Sequence, residues 1–171
     1  MRAARDVYLA DNGFSLDVYA SRWLDVWLFF GVRARVPNTR RHQQALMLHD
    51  LHHVVTGFGT DLAGEGEISA WEARRGLMAF GAYVASVVLA GALVGLVVAP
   101  RRTIAAWRAA ARHRSLFSMA RLDEGALRAA YEALLERSVG EVRGELGIPS
   151  EGVARVPRGL HARAPRVARD Q

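Results

Sequence analysis

The sequence predicts an all-α protein, a single helical bundle with one long apolar helix over about residues 76–99. Three observations carry this. Apolar residues recur at helical spacing along most of the chain. No stretch alternates apolar and polar residues as a strand does. Residues 76–100 hold no charged side chain, and a helix of that length can cross a hydrocarbon core about 30 Å thick. The 171 residues suffice for one domain with its own core. That domain is expected over 1–150, with a basic, disordered tail over 151–171.

In chain order, residues 2–10 and 15–32 read as helices separated by the turn Asp11-Asn12-Gly13. The second is crowded with core-type side chains, among them Val18, Tyr19, Trp23, Leu24 and Trp27. Arg33–Pro37 reads as a connector. Asn38 or Thr39 caps the next helix, which runs to about Thr56 and stops at Gly57. A glycine-rich loop covers 57–64, with neither P-loop nor dinucleotide spacing, and a helix begins near Glu65. In the apolar stretch, Gly81, Ala85, Gly91 and Gly95 give small-xxx-small spacings that allow close helix approach. Arginines flank it on both sides and give no orientation. A basic helix follows Pro100 to about Ser118, with Arg101, Arg108 and Arg112 on one face. Residues 123–139 form an amphipathic helix, and Val139–Leu146 a short one ended by Gly147.

Composition closes off several chemistries. There is no cysteine, which excludes disulfides, thiolate metal sites and a cysteine nucleophile. All 23 basic residues are arginine. The absence of lysine excludes Schiff-base and P-loop chemistry, and the Ala, Gly, Val and Arg usage fits a GC-rich coding bias. Half of the net charge of +6 lies in 151–171, where five arginines face Glu151 and Asp170. That tail suits solvent or an anionic lipid surface. No aromatic residue interleaves with its arginines and no nucleic-acid module appears, so nucleic acid is not an expected partner. The N-terminus is charged, with no apolar segment behind it, and no signal peptide is expected.

The chemistry concentrates in the helix from Thr39 to Thr56. Four of the six histidines lie between 42 and 53. His42, His49 and His53 share one ridge, with Met47, Leu51 and Val55 opposite. His49 and His53 stand at i and i+4, the spacing at which two imidazoles grip one ion. Asp50 can bend in as a ligand, orient a ligand histidine, hold a metal-bound water or, where it is no ligand, move a proton. Glu65, at the start of the next helix, can fold back on the ridge. Two imidazoles and one or two carboxylates suit Zn²⁺ or another first-row divalent ion. The zincin H-E-x-x-H and the H-D phosphohydrolases are neighbouring patterns. The first would need a water-soluble peptide cleft, and the second further ligands that have no place here.

His49-Asp50-Leu51-His52-His53, eleven residues, then Glu65 is H-D-x-x-H-x11-E. It resembles the signature of the coenzyme Q biosynthesis protein four family. The words around it, the Trp107–Phe117 stretch and Val139–Ile148 are similar to that family too, so the likeness runs from about 39 to 149. The resemblance implies an all-helical protein peripheral to a membrane. It implies a divalent metal, usually zinc, on His49, Asp50, His53 and Glu65, and an apolar channel for long isoprenoid tails. The implied activity is C1 decarboxylation of a polyprenylated 4-hydroxybenzoate in ubiquinone biosynthesis, oxidative in some accounts. The implied partners are that prenylated aromatic lipid, the membrane and other quinone-biosynthesis proteins, and a homodimer is compatible. The expected place is a bacterial cytoplasmic membrane, peripheral on its cytoplasmic face or inserted through 76–99. The competing expectation is a non-catalytic lipid-binding scaffold that organises a quinone-biosynthesis complex.

Overall fold

The structure is a computed structural model, and it describes residues 1–27 and 33–154. The described chain is mostly helical, as expected. Its elements are α1 (Arg2–Asp11), a 3-10 turn (Leu16–Tyr19), β1 (Trp23–Trp27), β2 (Arg33–Pro37), α2 (Arg40–Thr56) and α3 (Leu62–Gly76). Then come α4 (Ala82–Val98), α5 (Pro100–Ala110), a second 3-10 segment (Leu116–Arg121), α6 (Glu124–Leu135) and α7 (Val139–Leu146). Of the expected basic tail, residues 155–171 lie outside the described residues. Residues 153 and 154 belong to the fold, because their N–H groups donate to the Thr56 carbonyl at 2.7 and 3.0 Å.

α2 is the axis of the bundle. Thr39 caps its N-terminus, accepting from the His42 N–H at 3.2 Å. Leu48, Leu51 and Val55 are buried on one side, and His52, His53 and Thr56 are buried on others. The helix is therefore not half solvated, as its histidine ridge suggested, but enclosed over its last two turns. Its C-terminus is sealed from outside. The buried Arg143 of α7 donates to the Val55 carbonyl at 2.8 Å and the Val54 carbonyl at 3.3 Å, satisfying groups that no helical N–H reaches. Ile68 and Trp71 of α3, Phe117, Leu127, Tyr131 and Leu135 of α6, and Val142 and Leu146 of α7 complete the core.

The helix expected over 15–32 is not formed over its described part, residues 15–27, and residues 28–32 lie outside the described residues. Only Leu16–Tyr19 makes a helical turn, and β1 pairs antiparallel with β2, read above as a connector. The register runs from Trp23 opposite Pro37 to Trp27 opposite Arg33. Aromatic and β-branched residues favour a pleated pair over a helix. Asn38 does not cap α2 but ties this region down, its side chain donating to the Val18 and Ser21 carbonyls, each at 2.9 Å.

The long apolar helix expected over 76–99 is also not formed. α3 continues through Gly76, the chain turns with Gly81 at φ 90°, and α4 covers only Ala82–Val98. Pro100 ends it, and Ala99 leaves the helical region at φ −144°, because a residue before proline clashes in the helical conformation. Among the described residues no helix is long and apolar enough to cross a membrane. Insertion through 76–99 thus lacks the helix it requires, and a peripheral position is compatible. The basic helix after Pro100 stops at Ala110 rather than near Ser118, and α6 stops at Leu135 rather than 139.

The small residues act between α3 and α4. The two backbones touch at Gly66 and Gly95, where a Cβ on Gly66 would stand 2.2 Å from the Gly95 Cα. Glu67 of α3 adds an ion pair to Arg102 of α5 at 2.6 Å. Gly95→Ala should cost about 1–3 kcal/mol or prevent folding, since backbone cannot yield as a side chain tip can. Gly144→Ala, inside α7 with open space around its Cβ, should gain about 0.5–1 kcal/mol by removing unfolded-state entropy. Urea unfolding of the two variants beside the wild type reads both signs.

Candidate metal centre

α2 ends at Gly57, whose φ of 78° turns the chain back on itself. The loop then closes tightly. A Cβ on Gly64 would lie 2.2 Å from the Gly59 carbonyl oxygen, so only glycine fits there. Asp61 caps α3 by accepting from the Gly64 N–H at 2.7 Å. The glycine-rich loop thus delivers the first turn of α3, and with it Glu65, against the exposed side of His49.

His49, His53 and Glu65 come together there. The two Nε2 atoms are 3.1 Å apart. His49 Nε2 is 3.6 Å from Glu65 Oε2, and His53 Nε2 is 3.4 Å from Glu65 Oε1. A tetrahedral zinc ion with bonds of about 2.0–2.1 Å separates its ligand atoms by about 3.3 Å. The three edges bracket that value, so the residues fit such an ion. Glu65 keeps 38% of its side chain exposed, which leaves an approach from solvent.

The histidines are oriented from behind. His49 Nδ1 donates to Glu72 at 3.0 Å, and His53 Nδ1 donates to the Phe58 carbonyl at 3.1 Å. With both Nδ1 protons so placed, the Nε2 lone pairs face each other, and only a proton or a cation between them relieves the repulsion. Burial works against charge on His49, but Glu72 and Glu65 hold its pKa well above the usual imidazole range. Burial likewise opposes ionisation of Glu65, yet His53 and His49 hold it well below the usual carboxylate range. Tyr8 of α1 stacks on His53, with ring centroids 5.3 Å apart, and closes the site on that side.

Asp50 is not brought into this trio. It is buried, and its carboxylate accepts from the Tyr19 hydroxyl. Burial raises its pKa, against the pull of His49. His42 stands two turns away, edge-on to Tyr83 at 5.4 Å. His52 is enclosed between Trp71 and Phe117. Its Nε2 accepts from the Leu116 N–H at 3.0 Å, and burial keeps it below the usual imidazole range despite Glu72.

Glu72 is the functional residue that the sequence reading missed. Its carboxylate, 1% exposed, binds His49 and His52 together, the latter at 2.7 Å. A signal existed, for Glu72 follows Glu65 by seven residues, two helical turns on the same face. No family model, curated protein or solved structure matches the chain. The functional reading therefore stands on the residues of the site.

Burial opposes the charge on Glu72, but His49 and His52 hold its pKa down to about 2. A carboxylate with a depressed pKa stabilises the fold above its unfolded pKa and loses that contribution as pH falls through its folded value. The metal-free protein should therefore lose stability between the ordinary value of 4.5 and about 2. Glu72→Gln should flatten that limb and cost about 3–5 kcal/mol at neutral pH, by leaving a buried imidazole without its counter-charge. Thermal melts of both proteins across this pH range check the sign and the size.

Proposed function

We propose that the chain is a divalent-metal carboxy-lyase of isoprenoid-quinone biosynthesis, removing the C1 carboxylate of a polyprenylated 4-hydroxybenzoate at a membrane surface. The observation that carries the reading is the His49, His53 and Glu65 triangle at tetrahedral edge lengths, on residues spaced as H-D-x-x-H-x11-E. Three protein donors rather than four favour catalysis over a purely structural ion, because catalytic sites keep a position open. Among the described residues no fourth donor joins the group.

When bound, the metal would supply a Lewis acid that fixes the carboxylate or phenolate and stabilises developing negative charge. His49 and His53 hold that position, and Glu72 and the Phe58 carbonyl keep their rings from turning. Asp50, its pKa raised by burial, is the group proposed to hand a proton to ring C1. The bond from C1 to the carboxyl carbon then breaks, its electron pair returns to the ring, and carbon dioxide leaves.

The membrane side of the reading rests on α4 and α5. Leu93, Leu96, Val97 and Val98 of α4 and Ile104 and Trp107 of α5 are exposed. Arg101, Ile104, Arg108 and Arg112 line a shallow groove beside them. From residue 73 to residue 122 the chain carries eight arginines and no acidic residue. Apolar side chains rimmed by arginines suit the interface of an anionic bilayer.

Elemental analysis should find about one divalent ion per chain in the wild type and none in His53→Ala. Loaded wild type should release carbon dioxide from prenylated 4-hydroxybenzoate, and His53→Ala should not. Full metal loading without turnover would leave the scaffold reading in place. In vesicle sedimentation the wild type should bind phosphatidylglycerol but not phosphatidylcholine, with binding falling as salt rises. The triple change of Arg101, Arg108 and Arg112 to Gln should abolish it.

A further inference from the structure

Of the three residues that come together at the site, two are steadied by a group behind them and one is not. Glu72 backs His49, and the Phe58 carbonyl backs His53. The side chain of Glu65 is 38% exposed, and among the described residues no donor beyond the two imidazoles meets its carboxylate. Its place is therefore set by its backbone, in the first turn of α3. Asp61 holds that turn, accepting from the Gly64 N–H through its side chain and from the Glu65 N–H through its carbonyl, at 2.7 and 2.8 Å. The residue before Asp61 is tied across the molecule. The Thr60 hydroxyl donates to the side-chain oxygen of Asn12, which caps the end of α1. Asn12 Nδ2 donates at 2.7 Å to the carbonyl of Tyr8, whose ring lies on His53. With its NH₂ group so engaged, the amide turns its oxygen to Thr60, and the hydroxyl there is the donor.

We infer that Asn12 is a positioning residue for Glu65: one amide joins the turn of α1 that carries Tyr8 to the loop that starts α3, and so sets how far Glu65 stands from the histidines. The inference rests on the metal reading above and adds to it what holds the carboxylate at its corner of the triangle. The loop passes a shift along rather than absorbing it, because Gly64 lies against the Gly59 backbone, where a Cβ would meet the carbonyl oxygen at 2.2 Å. A displacement of Thr60 therefore reaches the first turn of α3. The task also needs an amide. A carboxylate at position 12 would still accept from Thr60 but would face the Tyr8 carbonyl with no proton to offer it.

Cobalt(II) titration, followed by the visible spectrum, reads the site without an assay of activity. The wild type, Thr60→Ser, Thr60→Val, Asn12→Ala and the Asn12→Ala/Thr60→Val double variant are compared well below their melting temperatures. Thr60→Val and Asn12→Ala should each weaken cobalt binding about tenfold, the lower end of what loss of an outer partner does to a metal site. The double variant should bind no more weakly than Asn12→Ala alone, since the shared bond is already gone. Thr60→Ser keeps the hydroxyl and should bind as the wild type does. Where Asn12→Ala fails to fold, the two Thr60 variants decide the matter between them. A merely structural role would lower the melting temperature and leave the cobalt affinity of the folded protein unchanged, which overturns the inference. It is equally overturned by a double variant whose losses multiply, or by a Thr60→Ser variant as weak as Thr60→Val. The metal reading survives each of these three results, whereas a wild type that binds no cobalt removes both.

Discussion

One buried carboxylate organises the centre of this protein. Glu72 sits on α3 with almost no solvent and takes hydrogen bonds from His49 and His52 of α2. A bare charge in that position would be prohibitive, so Glu72 is stable there only while both imidazoles face it. The constraint runs outward in two directions. Through His49 it fixes the ring nitrogen that meets Glu65 and His53. Through His52, whose other nitrogen accepts from Leu116, it fixes the start of the second 3-10 segment and places Phe117 in the core. The same interaction thus serves the candidate metal site and the packing around it.

Precision at the centre also depends on how little α2 can move. Its N-terminus is capped by Thr39, and its C-terminal carbonyls are taken by Arg143 and by residues 153 and 154. Tyr8 covers His53, and Trp71 abuts His52. His49 and His53 therefore have a fixed backbone, a fixed ring and a fixed Nδ1 partner. Such support from outside the ligand set is what a precise metal site needs.

The local rules read well where local chemistry decides the structure. α2, its stop at Gly57, α7 and its Gly147 cap all follow from capping and periodicity. The histidine pair and Glu65 followed from spacing, and the loop between them closes as the glycines allow. The failures have a common cause. Residues 15–32 carry apolar side chains at so many positions that neither period stands out, and pairing with 33–37 decided the outcome. The stretch 76–100 is apolar throughout, so its composition suggested one helix. The breaks come from Gly81 and Pro100, each a backbone effect that hydropathy does not register. Tyr19 and Tyr8 reach the site only through tertiary contacts, and no spacing along the chain announces them.

The apolar stretch and the candidate metal site are mechanically joined. Gly66, the residue after Glu65, touches Gly95 backbone to backbone. Gly91 lies so close to Ser69 that a Cβ there would meet its Oγ at 2.3 Å. Contacts without side chains have no slack, because no rotamer can absorb a shift. The height of α3 relative to α2 is therefore set by the seating of α4 as much as by the loop after Gly57. Glu65 lies at the junction of the two constraints, one from each side. A chain with a looser α3–α4 crossing could keep every residue of H-D-x-x-H-x11-E and still hold Glu65 too far from the histidines to share an ion with them.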